Sequence, residues 1–132
     1  MDLLRRAVLS AAAAAMVSCG GGPAVTEPPK LIHGGWIRQT LTEAGPDVLQ
    51  EKLRTLRHDK IWKVAYKGPQ DITGIWVLYP GDTVAFEAIQ RLNKGPSMRP
   101  FTRGPFLVIL DAEGVPPQAL GDFQEGVAKA IH

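Results

Sequence analysis

Two neighbouring strand patterns joined by a short turn constrain the fold of this chain more than any other feature of its sequence. Residues 61–67 alternate between apolar and polar side chains, which predicts a strand with one buried face. Residues 72–79 would place apolar side chains on both faces of a strand, which predicts a strand inside a sheet. The intervening Gly68-Pro69-Gln70-Asp71 is typical of a turn, so we expect an antiparallel hairpin.

The remaining apolar patterns predict helices on either side of this hairpin and further strands after it. The helices are expected at residues 47–57, 83–92 and 118–131, and the strands at 98–102 and 106–110, with a short strand at 36–39. Pro100 interrupts the strand at 98–102, which predicts an edge strand. Short turns join the strands, so we expect an α+β fold with a mostly antiparallel sheet of four to five strands. About three helices are expected to pack on one face of that sheet.

The first 18 residues have the pattern of an export signal. Arg5 and Arg6 provide a positive start, and residues 7–17 form an uncharged, mostly apolar run. As a helix this run would be about 16 Å long, whereas the core of a bilayer is about 30 Å thick. The run therefore predicts a cleaved signal peptide and not a permanent membrane span. The arginine pair leaves both the general and the twin-arginine export routes open.

The residues at the end of this run, Met16-Val17-Ser18-Cys19, resemble the lipobox of bacterial lipoproteins. The resemblance implies that the Cys19 thiol receives a diacylglycerol and that the signal peptidase cuts between Ser18 and Cys19. It also implies a cell-envelope protein held on a membrane by acyl chains, at the periplasmic face of the outer membrane in a Gram-negative bacterium. The competing interpretation is an ordinary secretory signal in which the cysteine is incidental.

The chain beyond the signal peptide divides into a linker and one domain. Residues 19–30 contain three glycines and three prolines, with Val25 as the one large apolar residue, which predicts a flexible tether. Residues 31–132 carry all the predicted helices and strands and are expected to form a single domain. The expected organisation is a signal peptide at 1–18, a tether at 19–30 and a domain at 31–132.

Charge and cysteine content exclude several classes of function. The formal net charge is +2 and falls to +1 without residues 1–18, so we expect no nucleic-acid partner. Cys19 is the only cysteine, which excludes an intrachain disulfide and a multi-cysteine metal site. Residues 91–103 are basic and residues 111–125 are acidic. The basic stretch suits lipid headgroups, an acidic partner or simple solvation.

No arrangement of residues in the sequence predicts a catalytic, metal or cofactor site. The histidines, His33, His58 and His132, share no helix face or short spacing with one another or with the cysteine. Ser97 is the only serine after the signal peptide and lies in a Gly-Pro loop, which argues against a serine nucleophile. Exposed carboxylates either do acid–base chemistry or, more simply, cap and solvate the fold. These carboxylates are Asp71, Asp82, Glu87 and Asp111.

The aromatic strand residues leave two interpretations open. Trp62, Tyr66 and Trp76 either belong to the core or line a groove that contacts a flat ligand such as a sugar. We expect a non-enzymatic, membrane-attached domain that binds or scaffolds an envelope protein, with a small-ligand or saccharide-binding lipoprotein as the alternative. The stretch from Trp62 to Phe106 also resembles uncharacterised bacterial envelope proteins, a resemblance that implies no activity. Its core is Tyr66-Lys67-Gly68, a second strand, and Ala85-Phe86-Glu87-Ala88.

Overall fold

The fold is built on one antiparallel sheet of six strands. The computed structural model describes residues 24–131. The strands are β1 (Leu31–Ile32), β2 (Trp36–Glu43), β3 (Lys60–Lys67), β4 (Ile72–Leu78), β5 (Met98–Arg103) and β6 (Phe106–Asp111). Their order across the sheet is β1-β2-β3-β4-β6-β5, and every neighbouring pair is antiparallel. The predicted hairpin is the β3–β4 pair at the centre.

Helices flank this sheet. They are a 3-10 helix at Pro46–Val48 and the α-helices α1 (Glu51–Arg54), α2 (Asp82–Arg91) and α3 (Pro117–Ala130). The last two confirm the helices predicted at 83–92 and 118–131, each shifted by one residue. Among the helices described between residues 24 and 131, none is long and apolar enough to cross a membrane.

The single helix predicted at 47–57 is wrong, because the chain forms two short turns there. Leu49 has an extended backbone, with ψ at 150°, and ends the 3-10 helix before α1 begins. This break lets Leu49 and Leu53 enter the same core, where they are 2% and 0% exposed. Arg54 donates from Nε to the Leu49 carbonyl oxygen at 3.0 Å and links the two turns. The leucine spacing fits one helix, but packing at the end of the sheet requires two turns.

The sheet is wider than predicted. The short strand expected at 36–39 extends to Glu43, and β1 adds a further strand, so four to five strands were too few. The turn between β1 and β2 contains Gly34 and Gly35, whose φ angles of 105° and 98° favour glycine. A strand of two residues is too short to leave an alternating pattern in the sequence. Pro100 lies in β5, which is an edge strand as predicted.

Helices pack on both faces of the sheet, and the prediction of one-sided packing is wrong. Alternation along a strand sends successive side chains to opposite faces. Phe123 of α3 packs in one core cluster with Trp76, and we call this side the α3 face. Leu53 of α1 and Ala88 of α2 pack in a second cluster with Val77, on the opposite side, the α2 face. The strands β3, β4 and β6 carry apolar residues at both odd and even positions, so both faces need cover.

Part of the predicted tether is bound to the domain. Arg38 donates from Nη1 to the Pro28 carbonyl oxygen at 2.6 Å. The Tyr66 hydroxyl donates to the Pro29 carbonyl oxygen, also at 2.6 Å. Pro28 itself is buried. Residues 24–30 are therefore held against the α3 face, and the folded domain includes residues before the predicted boundary at residue 31. Proline lacks an N–H donor but keeps its carbonyl acceptor, which is what these contacts use.

Candidate functional site

Helices α1 and α2 cover only one part of the α2 face. They pack over Ile61, Val77 and Leu107, which are cross-strand neighbours on β3, β4 and β6. Towards the other end of these strands the same face forms an open groove with a volume of about 660 Å³. The groove is the candidate functional site, because it is a concavity of ligand-binding size.

Two rows of cross-strand neighbours line the groove. The row next to the helices contains Thr42, Lys63, Ile75 and Ile109. The outer row contains Thr40, Ala65 and Thr73. Asp111 of β6 and Met98 of β5, which are also cross-strand partners, line the far end. From β2 to β5 the groove crosses four strand spacings, or about 19 Å, which matches about six residues of extended peptide.

The chemistry of the groove combines an apolar floor with hydroxyl groups at the rim. Ala65, Ile75 and Ile109 are half-buried, so each presents apolar surface to solvent. Thr40 and Thr73 are exposed, and their hydroxyl groups can both donate and accept hydrogen bonds. The floor therefore favours apolar contact, while the rim can satisfy the polar groups of a bound backbone.

Opposite charges stand on opposite sides of the groove. Lys63 is exposed on β3, whereas Asp111 and Glu113 are exposed at the end of β6. The strand β4 separates them, and Asp111 lies two residues beyond the row that contains Lys63, so the two residues are about 12 Å apart along the sheet. Asp111 is partly engaged, because its Oδ1 accepts a hydrogen bond from the Glu113 N–H at 3.0 Å. A bound segment would meet positive charge on one side and negative charge on the other.

The aromatic residues considered as ligand contacts lie in the core. Trp62, Tyr66 and Trp76 are 5%, 2% and 0% exposed and belong to the cluster on the α3 face. The ring centroids of Tyr66 and Trp76 are 6.2 Å apart, and Trp76 packs edge-on against Phe106 at 5.6 Å. This burial fits the core interpretation and leaves the three side chains no access to a ligand. The candidate groove is on the opposite face and uses none of them.

Cys19 and Ser18, on which the lipobox resemblance depends, lie outside the residues that the structure describes. The same is true of the rest of the predicted signal peptide and of the first half of the predicted tether. Lipidation and cleavage at these positions remain predictions from the sequence.

The exposed carboxylates considered for acid–base chemistry are dispersed over the fold. Asp71 lies in the β3–β4 turn, and Asp82 is the first residue of α2. Glu87 pairs with Arg91 one helical turn away at 2.6 Å, while Asp111 caps the turn after β6. Across residues 24–131, no group of three or more His, Cys, Asp or Glu side chains is arranged to hold a metal ion. These positions fit capping and solvation.

A second, smaller cavity of about 240 Å³ lies beside the β1–β2 turn. His33 and Trp36 contribute to it from the turn and β2, and Asp122 and Glu125 contribute from α3. His33 and both carboxylates are exposed. The cavity is smaller than the range of about 300–1,000 Å³ that is usual for small-molecule sites. We therefore interpret it as a solvated seam between α3 and the sheet.

Two of the four basic residues in the stretch at 91–103 are engaged within the fold. Arg91 pairs with Glu87, as above, and also donates to the Thr55 hydroxyl at 3.2 Å. Arg103 donates from Nε to the Ile131 carbonyl oxygen at 2.7 Å, which ties β5 to the end of α3. These contacts leave a smaller basic surface than the sequence suggests.

The two tyrosines of the chain are both buried, but only the Tyr66 hydroxyl has a hydrogen-bond partner among the described residues. Burial raises the pKa of Tyr66 well above its usual value. The charge of Arg38 lowers this pKa slightly, and the charge of Glu27 raises it slightly. Burial alone raises the pKa of Tyr79 to about 12. The Tyr66 hydroxyl thus has a structural role in holding residues 24–30, whereas the Tyr79 hydroxyl has none in this part of the chain.

This contrast predicts that the same Tyr→Phe substitution will change the free energy of unfolding differently at the two positions. Tyr66→Phe should lower the free energy of unfolding by about 1 kcal/mol, because the Pro29 carbonyl loses its partner. Tyr79→Phe should leave it unchanged or raise it by about 0.5 kcal/mol, because it removes a buried hydroxyl without a partner. Urea unfolding followed by tryptophan fluorescence measures both values. An equal loss in the two variants would contradict the assigned role of Tyr66.

No family model, curated protein or solved structure matches this chain. The candidate site is therefore identified from geometry. The sequence did not predict it: Thr73 lies in a predicted strand, but Thr40 and Thr42 lie beyond the strand predicted at 36–39. They become one site only when the strand order brings β2, β3 and β4 side by side.

Proposed function

We propose that this chain is a membrane-anchored cell-envelope lipoprotein whose domain binds another envelope protein without catalysing a reaction. The anchor is supported by the lipobox-like residues that end at Cys19. The binding role is supported by the open groove on the α2 face. The dispersed carboxylates favour a binding role over an enzymatic one.

The single observation that carries the binding role is the apolar floor of the groove. An antiparallel sheet can leave one face in water, but such a face is normally polar. Here Ile75, Ile109 and Met98 remain half-buried beyond the part of the face that the helices cover. Apolar side chains that line a concavity are typical of a binding site.

The dimensions and charges of the groove favour an extended protein segment as its occupant. The groove is shallow and open along its length, so it would enclose a small molecule poorly. An extended segment of about six residues spans it, and threonine hydroxyl groups can bond to the segment's backbone. Lys63 favours an acidic residue on one side, and Asp111 favours a basic residue on the other.

A small ligand is the second candidate occupant, because a volume of 660 Å³ falls within the usual range for small-molecule sites. In that case the groove should retain a compound of defined mass through purification. Native mass spectrometry of the purified protein detects such a compound, and covalent trapping of a protein in cells separates the two candidates.

Site-specific photo-crosslinking in intact bacterial cells tests the proposed function. A benzophenone amino acid at Thr73, in the groove, should give a discrete protein adduct. The same amino acid at Thr83, an exposed threonine in the first turn of α2, should not. Adding Ala65→Arg, which fills the floor, should lower the Thr73 adduct at least about tenfold, equivalent to about 1.4 kcal/mol of binding free energy.

One structural control and two further outcomes make this experiment decisive. The near-ultraviolet circular dichroism of the Ala65→Arg variant should match that of the unchanged chain, which shows that the core is intact. An adduct that survives Ala65→Arg, or no adduct at Thr73, would refute protein binding in the groove. A retained compound that Ala65→Arg displaces, without any adduct, would favour the small-ligand alternative.

A further inference from the structure

Two exposed apolar side chains stand together at one edge of the sheet. Leu31 and Ile37 are 66% and 59% exposed, and they are cross-strand partners in β1 and β2. Cross-strand partners have side chains about 5 Å apart on the same face, so these two form one apolar surface. We call this surface, formed by Leu31 and Ile37, the edge patch.

Lysines flank the edge patch. Lys67 is the cross-strand partner of Ile37, and Lys30 directly precedes Leu31. Both lysines are exposed, with Asp71 as an exposed carboxylate in the turn that follows Lys67. Lysine stems can lie along apolar surface while the ammonium group reaches the headgroup region of a membrane. The arrangement suits the interface of a bilayer, where apolar tips enter the boundary and charged ends stay in water.

The chain between the proposed lipid and the domain is short. Residues 24–30 are held on the sheet, so only residues 20–23 separate Cys19 from that segment. Five residue spacings reach at most about 18 Å. The held segment then leads directly into Leu31 of the edge strand β1. A lipid on Cys19 would keep the β1–β2 edge close to the bilayer surface.

We propose that the edge patch inserts into the bilayer interface beside the lipid and sets the orientation of the domain on the membrane. This inference rests on the anchor in the proposed function and not on the groove. Two aliphatic side chains alone bind a membrane weakly, but a covalent lipid raises their effective concentration at the surface. The groove opens on the same sheet face, at positions after Ile37 along β2, so the inserted edge would present the groove beside the membrane.

The single cysteine of the chain makes a site-specific test available. A lipid on Cys19 occupies its sulfur, so Ile37→Cys would introduce one free thiol for an environment-sensitive fluorophore. Phe86→Cys is the matched control, because Phe86 is 58% exposed, close to Ile37, but lies on α2. Each acylated protein is added to preformed phosphatidylcholine vesicles, and the label is quenched with iodide.

We expect the quenching constant at Ile37→Cys to be at least about threefold lower than at Phe86→Cys, because interfacial side chains lie about 5–10 Å inside the headgroup boundary. Equal quenching on vesicles that carry the protein would overturn the inference and leave the anchor intact. If the protection of the label from iodide rises with the protein-to-lipid ratio, a second copy of the protein covers the edge patch, and the inference is also overturned. Protein that does not float with the vesicles would refute the anchor and the inference together. Leu31→Cys provides the same measurement if Ile37→Cys does not fold.

Discussion

A Cys19→Ala variant, expressed in a bacterium that processes lipoproteins, should carry no acyl label, while the unchanged chain is labelled. Alanine has no sulfur for the thioether, and the chain has no other cysteine, so the effect should be complete. The variant should also leave the membrane fraction, because stable attachment needs two or more acyl chains. Metabolic labelling with an alkyne analogue of palmitate and the mass of the N-terminal peptide measure both effects.

The matched control for this variant is Ser18→Ala. It keeps a small residue before the proposed cleavage point and leaves the sulfur in place, so labelling should persist. Labelling of Cys19→Ala at the level of the unchanged chain would contradict the anchor. So would an N-terminal peptide of the unchanged chain that has a free thiol or still contains residues 1–18.

A Phe123→Ala variant should lose about 3–5 kcal/mol of folding free energy, the second large effect that we expect. Phe123 is 0% exposed, and its ring packs edge-on against Trp36 at 5.2 Å and Tyr66 at 5.1 Å. Removing it leaves a cavity between α3 and the sheet. Since small domains are stable by about 5–15 kcal/mol, this loss is a large part of the total. Urea unfolding monitored by tryptophan fluorescence measures it.

Phe86→Ala is the control for Phe123→Ala, because it removes the same atoms from an exposed position. Phe86 is 58% exposed on α2, so its removal should change the free energy of unfolding by no more than about 0.5 kcal/mol. Similar losses in the two variants would contradict the assignment of α3 to the core. A Phe123→Ala variant that does not fold at all would agree with the prediction at its upper limit.

The strands of the central hairpin were predicted correctly because their patterns are local. Residues 61–67 form β3 because alternation is a property of strand geometry itself, and residues 72–79 form β4 because a short apolar run between turns fits a buried strand. Residues 47–57 do not form one helix because the position of Leu49 depends on the end of the sheet, which is distant in sequence. One-sided helix packing failed for a related reason. Which faces need cover depends on the neighbours of each strand, and β6 lies between β4 and β5.

The candidate site was less predictable than the fold, because the groove lies where α1 and α2 stop covering the α2 face. Ile75 and Ile109 look like ordinary core residues in the sequence, and only the short reach of α1 and α2 leaves them at a groove. Trp62 and Trp76 were ambiguous because an aromatic residue in a strand suits both a core and a ligand contact. The lipobox resemblance depends on four consecutive residues and needs no fold, so it stays a prediction from the sequence.

The attachment of residues 24–30 to Arg38 and Tyr66 has a mechanical consequence for a protein held at its N-terminus. If Cys19 carries the proposed lipid, a pull on it would reach the hydrogen bonds to Pro28 and Pro29 before it reached β1. Without that clamp, the same load would act directly on a strand of two residues at the sheet edge and peel it away. In a lipid-anchored chain, these two hydrogen bonds would therefore take up force from the membrane before the sheet does.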